Sequence, residues 1–277
     1  MKKIPALLTA TALMLSLAAC GDFAPDPTDA PEVALDYAYT DEDFPSVYGS
    51  SAYEPLMEAV AAIMLGTTRE DAAEHLTFGA TDAAWAALAS GDAGVVIAPE
   101  GSSMPSGVDT AAISRDALVF FVGEGSSVSD LSSDELRAIF SGSADSWDSY
   151  GGQGAIEILA RPEGSGSIAA LDRLIGCDAG LVTGDSLPLT GNNVIGFGLW
   201  SECEALGLAN GYRIISVDGV EPTAQSISSG EYSLALDVLA GVSSDAADDS
   251  AERTLWLWLQ GSVGQAFISS QGYLEAE

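Results

Sequence analysis

Ile156-Glu157-Ile158-Leu159-Ala160-Arg161-Pro162-Glu163-Gly164-Ser165-Gly166-Ser167 runs directly into Ile168-Ala169-Ala170-Leu171-Asp172-Arg173-Leu174-Ile175. Residues 156–159 read as a strand and 167–175 as a helix, so the polar loop from Arg161 to Ser167 joins a strand to a helix start. A helix start carries backbone N–H groups without intrahelical partners at the positive end of the macrodipole, and that arrangement favours an anion. Gly164 and Gly166 let the backbone approach a ligand closely. Ser165 and Ser167 add hydroxyl donors, and Arg161 adds a planar fork suited to an oxyanion. The competing reading is a solvated turn whose Arg161 pairs with one of many carboxylates. Only seven arginines lie in the chain, so an arginine beside a Ser/Gly loop favours the functional reading.

A similar pattern occurs earlier. Gly49-Ser50-Ser51-Ala52-Tyr53-Glu54-Pro55 lies between a short strand at 45–48 and a helix at 52–65 that carries Leu56, Val60, Ala61, Met64 and Leu65 at helical spacing. Alone, it is read more simply as a serine N-cap. Taken with the loop at 161–167, it predicts one anion gripped from both halves of the chain. The remaining pattern alternates. Strands are expected at 94–98, 117–122, 193–197, 212–217 and 231–239. Helices are expected at 82–90, 199–206 and 251–267, and another ends near Phe140, opened by the capping-box pair Ser132 and Glu135. Alternating strands and helices imply an α/β fold.

The N-terminal end sets the compartment. Lys2 and Lys3 precede an apolar stretch at 4–17 that ends in Leu17-Ala18-Ala19-Cys20. This describes a secretory signal at 1–20 rather than a membrane span. The tetrapeptide resembles the bacterial lipobox, which implies that Cys20 is lipidated, with palmitate among the acyl groups such anchors carry. Residues 21–43 are rich in Asp, Glu, Pro and Ala and read as a disordered acidic tether. About 230 residues then remain, which suits two lobes. With 41 acidic residues against 9 Lys plus Arg and a net charge of −32, nucleic acid and anionic headgroups are excluded as partners, and the membrane is reached through the N-terminal lipid only. Once Cys20 is assigned to the anchor, Cys177 and Cys203 form an even pair in an oxidising compartment, and a disulfide between them is expected.

Catalysis has little support. His75, the only histidine, sits between Glu74 and Leu76 and forms no recognisable relay. Gly164-Ser165-Gly166 lacks the full nucleophile-elbow spacing. No P-loop or clustered metal-ligand spacing is present, so no metal or organic cofactor is implied.

Several longer runs resemble phosphate-binding periplasmic proteins of the PstS-like group. They are Arg115-Asp116-Ala117-Leu118-Val119-Phe120 and Leu131-Ser132-Ser133-Asp134-Glu135-Leu136-Arg137-Ala138-Ile139-Phe140-Ser141-Gly142, then Trp147, Gly151-Gly152, and Arg161 to Ser167. Val217-Asp218-Gly219-Val220-Glu221-Pro222-Thr223 and Trp258-Leu259-Gln260-Gly261-Ser262-Val263-Gly264-Gln265, with Gly272-Tyr273, continue it in order. The resemblance implies a two-lobed type II periplasmic-binding fold joined by two crossing strands, near 117–122 and 212–217. Lobe 1 would comprise 44–116 plus 218–277, and lobe 2 would comprise 117–217. Ser50 and Ser51 match the anion loop of the first lobe, and Arg161, Ser165, Gly166 and Ser167 that of the second. The family uses an Asp that accepts the proton of the bound anion. Phe78-Gly79-Ala80-Thr81-Asp82-Ala83 resembles the segment that carries it, which would make Asp82 the acceptor. A competing alignment puts 81–88 on an ordinary helix and leaves no matching Asp. The function implied is a monomeric, non-enzymatic lipoprotein that captures phosphate or a similar tetrahedral oxyanion for the permease of an ABC importer. The alternatives are a non-transporting sensor or surface-binding lipoprotein of the same fold and, with less support, a phosphate-ester hydrolase using Ser165.

Overall fold

The computed structural model describes residues 39–101, 104–161, 165–177, 191–207 and 211–276. The signal at 1–20, Cys20 and nearly all of the tether lie outside the described residues, as do Pro162, Glu163 and Gly164. In chain order the first elements are β1 (Val47–Ser50), a 3-10 turn (Ser51–Tyr53), α1 (Glu54–Leu65), α2 (Arg69–Ala73), β2 (Leu76–Gly79), α3 (Thr81–Ser90), β3 (Val95–Pro99) and β4 (Val108–Gly123). They are followed by β5 (Asp130–Leu131), α4 (Ser133–Phe140), β6 (Glu157–Ile158), α5 (Gly166–Ile175), β7 (Val194–Leu199) and α6 (Trp200–Gly207). The last are β8 (Tyr212–Ile214), β9 (Ser216–Val217), α7 (Ala224–Ser228), β10 (Ala235–Ser243), α8 (Ala251–Gln260) and α9 (Ser262–Ser270).

The α/β class is as the alternation predicts, and β4 organises it. Its first half pairs antiparallel with β10 as far as Ala117, and its second half pairs with β7 from Leu118 onward. One strand therefore serves two groups. On one side lie β2, β1, β3 and β10, with β1 parallel to both β2 and β3. On the other lie β7, β6 and β8. The pattern of β4 explains the change. Residues 117–122 form an unbroken buried run, typical of a strand covered on both faces, whereas Val108, Asp109 and Thr110 are partly or fully exposed.

Two segments differ from the sequence reading. Tyr212–Ile214 stays in the second group, antiparallel to Phe121–Gly123, and the chain re-enters the first group only at β10, between β3 and β4. The helix expected at 251–267 is broken. Gly261 is extended, with φ −68° and ψ 158°. At Gly264 a side chain would collide with the Trp258 carbonyl, so only glycine allows α9 to fold back this tightly.

The disulfide expectation is also corrected. Cys177 and Cys203 are both free and buried. The Cys177 thiol, just past α5, points at the Arg137 carbonyl at 3.7 Å. Cys203, on α6, lies against Gly198 of β7, where an added Cβ would come 2.5 Å from its sulfur. Each sulfur is enclosed by different neighbours, and parity in a cysteine count carries no distance information. Burial pushes the Cys203 thiol up to about 12. Folded protein beginning at residue 21 is therefore expected to leave Cys203 unalkylated at pH 8, and to yield two reactive thiols when unfolded without reductant. Two thiols missing from the unfolded count would show a disulfide instead.

Candidate anion-binding site

Three helix starts converge where the two strand groups meet. The first follows β1. At Gly49 an added side chain would collide with the Met57 sulfur and come 2.8 Å from the Ile97 carbonyl, so β1 lies close to α1 and β3. This packing sets Ser50, only 1% exposed, at the end of the strand. The second start is that of α3, whose first residue, the buried Thr81, directs its hydroxyl to Ser50 Oγ at 3.4 Å. The third is that of α5. A Cβ on Gly166 would lie 3.1 Å from Ser50 Oγ and 3.4 Å from Thr81 Oγ1. The loops expected to face each other are thus in direct contact, and Gly166 is the residue that permits it.

The chemistry of these starts separates them from most others. Ser50, Ala80 and Ser165 occupy the N-cap positions of the 3-10 turn, α3 and α5, and none makes a side-chain cap. Thr68, Ser132, Thr223 and Ser250 do cap α2, α4, α7 and α8, with full capping boxes on α4 and α7. The chain therefore uses Ser and Thr caps freely and withholds them where the three starts converge. N–H groups not met by a side-chain cap, at the positive ends of helices, are suited to an external acceptor.

Arg161 supplies the charge. Its Nε donates to Ser167 Oγ at 3.1 Å, and its Nη2 donates to Glu202 Oε2 at 2.8 Å. Ser165 Oγ and Ser167 Oγ are 3.2 Å apart. Behind the site, the buried carboxylate of Asp116 accepts four hydrogen bonds. They come from the Tyr53 hydroxyl at 3.0 Å, the Ala117 N–H at 2.8 Å, and the Ser201 N–H and hydroxyl at 3.1 and 2.6 Å. Burial raises the Asp116 pKa while these donors pull it down, and burial with the neighbouring Asp116 pushes the Tyr53 phenol well above its usual value. Tyr53 therefore remains a donor at neutral pH.

Of the residues singled out in the sequence, Ser50, Arg161, Ser165, Gly166 and Ser167 are brought together. Ser51 is exposed and donates to the Gly79 carbonyl at 3.3 Å. Asp82 lies on the exposed side of the first turn of α3, beside Gly101. The residue of that turn that meets Ser50 and Gly166 is Thr81. Thr81, Asp116 and Glu202 were not anticipated as site residues. Thr81 alone carries a local signal, as a residue at a helix start just after Gly79-Ala80. His75 packs edge-on to Phe44 and lies 3.7 Å from Asp41. Among the described residues no group of three or more His, Cys, Asp or Glu is placed to hold a metal ion, and no helix is long and apolar enough to cross a membrane.

Comparison with known proteins bears on the fold and the family. A model of the PBP superfamily domain matches residues 46–238. The phosphate-binding protein PstS of Bacillus subtilis is 27% identical over 247 residues, 83% of this chain and 80% of that protein. An ABC-type phosphate transport receptor from Vibrio cholerae shares the fold with a TM-score of 0.68 at 18% identity, over 83% of this chain and 99% of its own. PstS from Borrelia burgdorferi gives 0.56 at 18%, over 85% and 99%. The type II periplasmic-binding fold is thus the one adopted.

Two substitutions test the construction. Gly166→Ala places a methyl group against Ser50 and is expected to weaken oxyanion affinity at least about fivefold while costing under about 1 kcal/mol of stability. Asp116→Ala leaves buried donors without their acceptor and is expected to cost about 3 kcal/mol, seen as a lower urea midpoint.

Proposed function

We propose that this chain, which belongs to the PBP superfamily, is an extracytoplasmic receptor that captures phosphate or a similar tetrahedral oxyanion and delivers it to the permease of an ABC importer. The observation that carries this reading is the set of three helix starts, none with a side-chain cap, meeting at Ser50, Thr81 and Gly166 with Arg161 alongside. The relative from Bacillus subtilis is named as a phosphate-binding protein, which supports phosphate as the first anion to test.

In this reading the backbone N–H groups of the three starts, the hydroxyls of Ser50, Thr81, Ser165 and Ser167, and the Arg161 guanidinium form the cradle. Lobe 1, residues 44–116 with 218–277, and lobe 2, residues 117–217, close on the anion by a hinge at the strands that join them. Cys20 carries the lipid, residues 21–43 space the receptor from the membrane, and the receptor works as a monomer. It binds and releases its ligand without transforming it. Asp82 is retained as the candidate proton acceptor, at the rim of the α3 start. The net charge of −32 gives a field that repels an incoming anion, but salt screens that field beyond about 8–10 Å, while the cradle attracts at hydrogen-bond distance.

The test is calorimetry on protein beginning at residue 21, titrated with phosphate and then sulfate at moderate salt. Saturable phosphate binding is expected, and heat from neither anion would overturn the reading. Arg161→Ala removes a charge-assisted donor and is expected to weaken binding about tenfold or more.

A further inference from the structure

The guanidinium that faces the proposed anion site already has a carboxylate partner. Glu202 Oε2 accepts a hydrogen bond from Arg161 Nη2 at 2.8 Å, and the same oxygen accepts one from the Leu199 N–H at 3.4 Å. The pair is mostly sheltered, with Arg161 18% and Glu202 24% exposed. Glu202 sits in the first turn of α6, where the helix dipole favours a negative charge. That turn is fixed by Ser201, whose N–H and hydroxyl both bond Asp116. The carboxylate is therefore a fixed group with a firm foundation.

Resting on the oxyanion reading above, we propose that Glu202 is a positioning residue that orients Arg161 and, through its charge, determines which oxyanions the pocket admits. Two anchor points, Ser167 on Nε and Glu202 on Nη2, define the plane of a rigid fork. Among the described residues, removing Glu202 leaves the guanidinium its Ser167 contact alone. The charge has a separate effect. Arg161 alone would present a bare cation, whereas Arg161 with Glu202 presents a neutral pair among dipoles. A fully ionised dianion then meets a carboxylate just beyond the guanidinium, in surroundings where charges are screened less than in bulk water. Monobasic phosphate, with a single negative charge, brings less charge to that encounter than sulfate does. Specificity of this kind arises from repulsion of the wrong ligand. Glu202 supplies it from the second lobe, independently of any acceptor on α3.

The experiment compares phosphate and sulfate titrations of the wild type, Glu202→Gln, Glu202→Ala and the double variant Glu202→Gln with Arg161→Ala, all in the protein beginning at residue 21, with thermal melts of each. Gln keeps an oxygen for Nη2 and removes the charge. It is expected to tighten sulfate more than phosphate, so that the preference for phosphate falls about tenfold. Ala also removes the orienting contact and is expected to weaken both anions several-fold relative to Gln. In the double variant the effect of Gln on the preference is expected to vanish. A preference within about twofold of wild type in both single variants would overturn the proposal, as would a lowered melting temperature with affinities unchanged, which would make the pair purely structural. If the Ala variant does not fold, the nearly isosteric Gln variant decides alone. Wild type that binds neither anion overturns the oxyanion reading and this proposal together, whereas wild type that binds phosphate beside unaltered variants overturns only the role of Glu202.

Discussion

The carboxylate of Asp116 is the point from which the site is held. It lies one residue before the end of the β4–β10 pairing and two before the start of the β4–β7 pairing, and it is 1% exposed. A buried carboxylate is costly unless its lone pairs are met, and here four donors meet them. Two of the donor residues matter for position. Tyr53 closes the 3-10 turn that begins beside Ser50, and Ser201 lies in the first turn of α6, next to Glu202. One side chain thereby ties the anion loop after β1 to the helix that restrains Arg161, at the place where the chain passes from one strand group to the other.

Much of this could be read from the sequence because it was written in local patterns. A Ser/Gly loop between a strand and a helix marks a helix start wherever it occurs, and both such loops formed one. The capping box at Ser132 and Glu135 is present as its spacing implied, with the Ser132 N–H bonded to Glu135 at 2.7 Å. What escaped was non-local or lacked apolar signal. The first half of β4 carries Asp109, Thr110 and Ser114 and gave no clear strand pattern, although β10 pairs along its length. β2 is four residues long and only partly buried. Glu202 is 41 residues from Arg161, and nothing in the spacing of the two predicts an ion pair.

The arginines show how little the net charge says about local electrostatics. Arg137 donates to the Ile175 carbonyl at 2.7 Å and to Asp134, bracing α4 against the end of α5. Arg213 bonds the Ser126 and Val128 carbonyls. Arg253 reaches Asp109 and the Ser243 carbonyl while its guanidinium lies 5.1 Å from the centre of the Trp256 ring. Arg173 pairs with Glu100, joining α5 to the end of β3. These contacts act over a few ångströms, within the screening length, and each of these arginines makes at least one to a segment distant in sequence.

The position of β10 governs when the molecule can become complete. It lies between β3 and β4, pairing Val242 with Val95 and Ser243 with Val108. Until this late segment arrives, the facing edges of β3 and β4 stay open, and nothing joins β3 to β4. Pairings across such separations form slowly, because the intervening chain must be ordered before any contact rewards it. A ribosome therefore releases most of the polypeptide before a finished fold is attainable. That delay exposes two unpaired strand edges to neighbouring chains, and a heavily negative surface is well suited to keeping such half-made molecules apart.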